Sequence, residues 1–389
     1  MKLRLAAALV AALALPGVAH AAARVTVTPA EALVDAPVDV RVTGLAPLAA
    51  VTLQATARDW AGKLWRARLD VRADDHGVFD THSSMRVFWS MRRLQGSSAG
   101  GFLPTLGRAR VDVGVIRAGR LVAQGSFVRR GAAAGVTAIT ARLADQGFVG
   151  TFFQPLRGAA PAPAVLVLGG SLGGSSYYPA SLLASHGYPS LALAYFNEPG
   201  LPKTLKEIPL EYFQKALFWL ASQPGVDPKR IVILGASRGA EAALLLGSTY
   251  PDLVHGVIAG SPSDQVTGAY PGPGRAWTLG GKPVPYGAIP VEKIAGPVLA
   301  FAGGRDEVWG SGPAVDRLIA RARAHGRRDV VGVVYPGAGA GVVSVPNLPS
   351  LGLVEVRPGT TAELGGTPAA NARAHASSWA RILRFLGSL

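Results

Sequence analysis

Ile231-Val232-Ile233-Leu234-Gly235-Ala236-Ser237-Arg238-Gly239-Ala240-Glu241 is the stretch that decides the fold. A β-branched apolar run leads into Gly-x-Ser-x-Gly, and an Ala/Leu-rich helical stretch follows. Strand, sharp turn, then helix is the order that a nucleophile elbow requires. The tight turn lifts a serine hydroxyl above the sheet, and small flanking residues avoid the clashes of a strained turn. The helix N-terminus offers backbone N–H groups to a developing oxyanion. Acyl transfer or hydrolysis with Ser237 as nucleophile is the chemistry this pattern predicts.

With 49 glycines among 389 residues, the bare pattern carries little weight, and it occurs three times. Gly96-Ser97-Ser98-Ala99-Gly100 has no strand before it and reads as a surface turn. Gly169-Gly170-Ser171-Leu172-Gly173 follows the strand Val165-Leu166-Val167-Leu168 and reads as a glycine-rich oxyanion loop. We therefore assign the oxyanion donors to Arg238, Gly170 and Ser171. Only Ser237 has the full elbow context.

Working outward, the residues before the elbow alternate strands and helices. A hairpin is expected from Val136–Leu143 and Phe148–Pro155, turning at Asp145-Gln146-Gly147. A strand at 164–168, a helix near 177–186, a strand at 190–195 and a helix at 210–222 lead to the elbow. After it come a strand at 254–259 and a Gly/Pro-rich insertion, 261 to about 290. A strand at 297–302, a helix near 312–325, a strand at 330–335 and a closing helix near 368–387 complete the chain. An opening hairpin followed by repeated β–α units is the plan of an α/β-hydrolase fold. The insertion carries Tyr270, Trp277 and Tyr286 and leaves the sheet at the elbow's edge, so it is expected to roof the site.

Residues 24–129 differ in character. Val25–Thr28, Val38–Val42, Val51–Ala55, Leu64–Val71 and Val111–Val115 each alternate with period two, between Pro/Gly/Asp turns. They predict an all-β, immunoglobulin-like sandwich domain at 22–130, with the α/β-hydrolase domain at 131–389. Arg129-Arg130-Gly131-Ala132-Ala133-Ala134-Gly135 reads as the linker. At the N-terminus, Lys2 and Arg4 precede an apolar run, Leu5–Leu15, that Pro16-Gly17 breaks before Ala19-His20-Ala21. Residues 1–21 read as a secretory signal peptide cleaved after Ala21, which predicts a periplasmic or secreted protein. The run is too short to span a bilayer, and no later segment reads as a transmembrane helix.

There is no cysteine, which excludes disulfides, thiolate metal sites and a cysteine nucleophile. The formal charge of +15 is carried by scattered arginines without a dense basic tract. It reads as a solvated basic surface, with no nucleic acid as partner. No cofactor or metal is expected, and nothing bears on oligomeric state.

In this chain order the acid follows the serine and the histidine comes last. Asp306, in Gly303-Gly304-Arg305-Asp306-Glu307-Val308-Trp309, is the chosen acid, with Glu307 second. The competing reading makes Asp306 a capping carboxylate before the next helix. The histidine belongs after the last strand, yet that loop reads Tyr335-Pro336-Gly337-Ala338-Gly339-Ala340. His325 and His255 belong at the opposite edge of the sheet, His76 and His82 in the sandwich, and His186 at a helix end. His375 sits two turns into the closing helix. No histidine is in place to act as base, and a serine without one is a poor nucleophile near neutral pH.

These segments together resemble the acyl-CoA thioesterase and bile acid-CoA:amino acid N-acyltransferase family over most of the mature chain. Gly77-Val78-Phe79-Asp80 and Val87-Phe88-Trp89-Ser90-Met91 look like its N-terminal module. Ala194-Tyr195-Phe196-Asn197, Leu201-Pro202-Lys203-Thr204 and Pro209-Leu210-Glu211-Tyr212-Phe213 are similar to its catalytic half, as is the elbow itself. Gly303–Asp306 with Trp309 matches its acid segment, and Gly365-Gly366-Thr367-Pro368 also fits. Tyr335–Gly339 resembles the segment that ends in the family's catalytic histidine, and here the next residue is Ala340. The resemblance implies a Ser–Asp–His acyl hydrolase acting on a small-molecule acyl ester or thioester through an acyl-enzyme. Ala340 and the signal peptide are the two departures. The expected function is an exported serine acyl hydrolase lacking its base. The alternative is a non-catalytic protein that binds an acyl or hydrophobic ligand.

Overall fold

The structure, a computed structural model, describes residues 22–98, 102, 106–156, 161–357 and 360–389. The signal segment and part of the Gly96–Gly100 turn lie outside these residues. A six-stranded sheet orders Glu31–Leu33, Arg120–Arg130, Arg108–Arg117, Ala50–Arg58, Leu64–Arg72 and Arg92–Arg93. A three-stranded sheet of Arg24–Thr28, Asp39–Thr43 and Phe79–Asp80 completes the sandwich. Strict alternation sends Val51, Leu53, Ala55 and Ala57 inward, where Trp65, Phe88 and Phe127 fill the core.

The linker reading of Arg129 is corrected. Arg129 ends the last sandwich strand and is buried between the rings of Phe88 and Phe127. Its guanidinium donates to the carbonyls of Leu33, Val34 and Ala36 at 3.1, 3.0 and 2.7 Å. Burial pulls its pKa down to about 10, so it stays charged. Local sequence could not reveal this, because its partners lie more than ninety residues upstream.

The second sheet has eight strands: β1 (Thr137–Ala141), β2 (Val149–Gln154), β3 (Ala162–Leu168), β4 (Ser190–Ala194), β5 (Val226–Ala236), β6 (Gly256–Gly260), β7 (Val298–Gly303) and β8 (Val330–Tyr335). Their spatial order is 1-2-4-3-5-6-7-8. Strand β2 runs antiparallel to its neighbours, and β3 to β8 run parallel. This is the α/β-hydrolase fold. Parallel strands covered on both faces need continuous apolar runs, and every residue of β4 and β6 is buried. Five helices cover the sheet: α1 (Tyr177–Ser185), α2 (Leu210–Ala221), α3 (Arg238–Thr249), α4 (Ser311–Ala324) and α5 (Pro368–Gly387). Helices α1 and α5 pack in one core cluster, and α2, α3 and α4 in the other. Helix α5 opens on Pro368, and the Thr367 side chain accepts from the Ala370 N–H at 3.2 Å.

Three local readings change. The turn expected at 145–147 is one helical turn, Leu143–Gln146, closed by Gly147 in the left-handed region. Strand β5 begins at Val226, because Pro228 and the charged residues that follow sit at its exposed start. Leu353–Arg357 and Thr360–Glu363 pair as a hairpin that alternation had not flagged. The sandwich and the sheet meet at buried Asp35. Its Oδ2 accepts from His186 Nε2 at 2.6 Å and Trp379 Nε1 at 2.8 Å. That hydrogen bond raises the pKa of His186. Among the described residues, no helix is long and apolar enough to cross a membrane.

Candidate active site

Strand order reverses around β3, which lies between β4 and β5. Open α/β sheets place ligands at such switch points, beyond the C-terminal strand ends. The loop after β3 and the elbow after β5 meet there. Ser237 has φ 54° and ψ −117°, a conformation that non-glycine residues adopt at a cost of about 1–3 kcal/mol. Two glycines make the elbow fit. A Cβ on Gly235 would overlap the Gly239 carbonyl, and one on Gly239 would overlap the Leu168 and Gly169 carbonyls. The Ser237 N–H donates to the Gly260 carbonyl at 2.8 Å.

The glycine-rich loop passes directly over the serine. A Cβ on Gly170 would lie 3.3 Å from Ser237 Cβ. Tyr195 Oη donates to the Gly169 carbonyl at 2.7 Å, and Asn197 Nδ2 donates to the Leu172 carbonyl at 2.9 Å. Among the described residues nothing accepts from the N–H groups of Gly170, Ser171 or Arg238. The structure therefore brings Gly170 against Ser237, with Ser171 next to Gly170 and Arg238 next to Ser237 in the chain.

Asp306 stands beyond β7. Its Oδ1 accepts from the Val308 and Trp309 N–H groups at 2.9 and 3.2 Å, and its Oδ2 accepts from the Ser311 hydroxyl. The capping reading is corrected: the residue before α4 is Gly310, no side chain caps that helix, and Asp306 instead closes the turn that precedes it. The same turn is hydrogen-bonded to the loop after β8: Gly304 N–H to Tyr335 and Arg305 N–H to Ala338, both at 2.8 Å. Ala340 follows in that loop, its N–H donating to the Leu364 carbonyl at 2.6 Å. Glu307 is exposed beside Gly365.

Ser261 links these parts and was missed. It is 1% exposed and has φ 47°. It directly follows Gly260, whose carbonyl holds the Ser237 N–H. Its Oγ accepts from the Gly341 N–H at 3.1 Å, and its carbonyl accepts from Trp309 Nε1 at 3.0 Å. One strained residue therefore ties the elbow to both the Asp306 turn and the Ala340 loop. Nothing in the sequence marked it beyond its place at the end of an apolar strand.

No histidine hydrogen-bonds Ser237 or Asp306 among the described residues. His375 Nδ1 lies 3.2 Å from Ser350 Oγ, and the ring also bonds the Gly341 backbone. Burial drives its pKa down to about 4, against the opposing effect of the Gly341 bond. It is neutral but committed to a packing role. His325 bonds the Arg321 carbonyl at the end of α4, and His255 precedes β6 at the far edge.

The insertion is anchored more deeply than its composition implied. Glu241 on α3 is fully buried and ion-pairs with Arg238 at 2.6 Å. Its oxygens accept from Thr267 N–H and Oγ1 at 2.8 and 2.6 Å, and from Trp277 Nε1 at 2.8 Å. Arg238 also donates to the Gly268 carbonyl at 2.7 Å. Trp277 is core, packed on Tyr195 and Phe213. Tyr270 and Tyr286 are exposed. The insertion reaches the elbow at the Arg238 side chain, through the Gly268 carbonyl and through the Trp277 ring, whose centroid lies 5.8 Å from the guanidinium carbon.

Comparison with known proteins bears on this arrangement. The model of the BAAT/acyl-CoA thioester hydrolase C-terminal region matches residues 208–269 and 278–388, and that of the acyl-CoA thioester hydrolase/BAAT N-terminal region matches 35–142. Acyl-coenzyme A thioesterase 6 of Mus musculus is 30% identical, covering 90% of this chain and 93% of that protein. Acyl-coenzyme A amino acid N-acyltransferase 1 of Mus musculus is 30% identical, covering 92% and 95%. An esterase structure from Pyrobaculum calidifontis aligns with 65% of this chain and 84% of its own at 18% identity and TM-score 0.44.

Proposed function

This chain belongs to the acyl-CoA thioester hydrolase/BAAT family, and from that premise we propose that it is a serine acyl hydrolase that has lost its base. Ser237 Oγ attacks the carbonyl of a thioester or ester. The oxyanion forms against the N–H groups of Arg238 and the Gly170–Ser171 loop. The C–S or C–O bond breaks, the thiol or alcohol leaves with the proton that Ser237 gives up, carried by solvent water, and a second water hydrolyses the acyl-enzyme and regenerates the hydroxyl. In the family pattern an imidazole takes the serine proton, and Asp306 orients it. Ala340 offers only a methyl group there. Losing that base costs about a million-fold in turnover in a serine protease, while the oxyanion hole and binding retain about 10³–10⁴ over water. The observation that carries this reading is the strained Ser237 elbow with the unpartnered N–H groups of Arg238 and Ser171 beside it.

The alternative, a protein that binds acyl ligands without turning them over, draws on Asp306, both of whose oxygens already have donors. A fluorophosphonate probe separates the two. Slow stoichiometric labelling is expected, located at Ser237 by peptide mass and absent in Ser237→Ala. Binding of an acyl ester without any labelling would favour the binder.

The site is proposed to work outside the cytosol, on the grounds of Lys2, Arg4, the Leu5–Leu15 run and Ala19-His20-Ala21. Mass spectrometry of protein from its native host should find a chain beginning at Ala22. An intact Met1, or a cytosolic pool alone, would overturn export.

A further inference from the structure

Strand β8 ends the eight-stranded sheet, so one of its two edges has no neighbouring strand among the described residues. An open edge is a template for pairing with another chain, and proteins usually blunt it with short length, charge, proline or a bulge. The six-stranded sheet follows that practice: its edge strands are the three-residue Glu31–Leu33 and the two arginines Arg92–Arg93. Strand β8 does not. Its six residues read Val-Val-Gly-Val-Val-Tyr, without charge or proline, and its register on β7 has no bulge. Val331 and Val334 are 51% and 40% exposed.

Backbone direction fixes what this edge offers. The Val298 N–H donates to the Asp329 carbonyl at 3.0 Å, and the Gly304 N–H to the Tyr335 carbonyl at 2.8 Å. In a parallel ladder a residue turns its N–H and C=O toward one neighbouring strand, and the next residue turns both the other way. The odd-numbered residues of β8 therefore bond β7, while Val330, Gly332 and Val334 present their N–H and C=O groups outward. Val330-Val331-Gly332-Val333-Val334 reads the same in both directions. About a two-fold axis through Gly332, antiparallel pairing sets Val330 opposite the partner's Val334 and Val331 opposite the partner's Val333. Every outward N–H then meets an outward carbonyl. Valine faces valine on both sides of the sheet, and no charge meets a like charge.

We infer that β8 is a dimerisation edge, where a second copy of this chain adds its own β8 in antiparallel register about Gly332. A strand of six residues is about 20 Å long. Alone it falls short of the about 800 Å² per partner that a standard interface buries, and helix α4 extends the contact. That helix lies over Gly332, where a Cβ would meet Val315 and Ile319. The exposed Asp316 and Arg323 stand three residues before and four after Ile319. The same two-fold runs α4 antiparallel to its copy and turns the Asp316 end of each toward the Arg323 end of the other. The contact area fits a reversible dimer. Because the paired strands run in opposite directions, the two Ser237 elbows lie at opposite ends of the joined sheet, and neither copy completes the other's site.

Sedimentation velocity of the mature chain from about 1 to 200 µM tests this, and a monomer–dimer equilibrium is expected. Val331→Lys sets a charge against the partner's Val333. Val334→Pro removes an N–H that β7 does not use, a change that a sheet edge tolerates. Each substitution acts twice across the two-fold, so each should weaken the dimer by about ten- to hundredfold. Ile139→Lys, on the sheet's opposite edge strand β1, should dimerise like the parent. Thermal midpoints separate loss of fold from loss of pairing. The register is read independently by cross-linking. The chain has no cysteine, so Val331→Cys and Val333→Cys carry one thiol each. In the paired strands these positions face each other with about 4.5 Å between Cα atoms, within disulfide reach. Under mild oxidation the two variants mixed should give a linked dimer that neither gives alone. A chain that stays monomeric over the whole range, a dimer indifferent to both edge variants, or no cross-link in the mixture overturns the proposal.

Discussion

Ala340→His is expected to raise acyl-ester hydrolysis by about 10³-fold or more. Loss of a triad histidine costs about 10⁶ in turnover, so restoring it has that much to recover. The other parts are already assembled. Ser237 is held at the elbow, the N–H groups of Gly170, Ser171 and Arg238 have no acceptor among the described residues, and the Ala340 loop is hydrogen-bonded to the Asp306 turn. The gain should fall short of the full factor, because the Ser311 hydroxyl already occupies Asp306 Oδ2 and competes with an imidazole N–H. Ser311→Ala added to Ala340→His should therefore increase the rate further. The new activity should rise with pH as the imidazole loses its proton, because only the neutral ring accepts the serine proton. Steady-state kcat/KM on a nitrophenyl ester series measures all of this, with Ser237→Ala in the same background as the control. A folded Ala340→His variant no faster than the parent would show that more than the base is missing.

The second large effect is on stability. Glu241→Ala should destabilise the chain by about 3–5 kcal/mol, the usual cost of stranding one partner of a buried pair. Arg238 is 5% exposed, and the substitution leaves its guanidinium with the Gly268 carbonyl as its one remaining hydrogen-bond acceptor. Thr267 and Trp277 lose their acceptor at the same time. Because Arg238 adjoins Ser237, fluorophosphonate labelling should slow as well. The pair Arg238→Leu/Glu241→Leu removes both charges and should recover part of the loss, since a buried ion pair is often replaceable by apolar groups. Denaturant midpoints for Arg238→Leu, Glu241→Leu and the double variant close the cycle. A loss under about 1 kcal/mol for Glu241→Ala would mean that solvent reaches the network and screens it.

Much of this protein was legible from short-range patterns. Alternation in Ala50–Arg58 marks a strand with one buried face, because side chains in a strand alternate sides. The Gly235–Gly239 elbow is legible because the residues that must lack a Cβ lie within two positions of the serine, although the carbonyls that exclude a Cβ at Gly239 belong to Leu168 and Gly169. The order of strands and helices in the second domain was legible in the same way, while Asp306 as acid and Ala340 in place of a histidine are readings that rest on the resemblance to the family and await the tests above.

Only tertiary structure decided what those residues do to one another. Ser261 holds the Ala340 loop across eighty residues, and Trp379 meets Asp35 across 344. Arg129, read as a linker, is core because carbonyls from the other end of the sandwich converge on it. Asp306 is the proposed acid, and only the positions of Val308, Trp309 and Ser311 show that both of its oxygens already have donors. Val330, Gly332 and Val334 read as part of an apolar strand until the strand order leaves their backbone groups on an open edge. Propensity, periodicity and turn chemistry act over a few residues and are written in the chain. Partnership between charges and hydrogen-bonding groups depends on which distant segments pack together, and no local pattern in the sequence carries that.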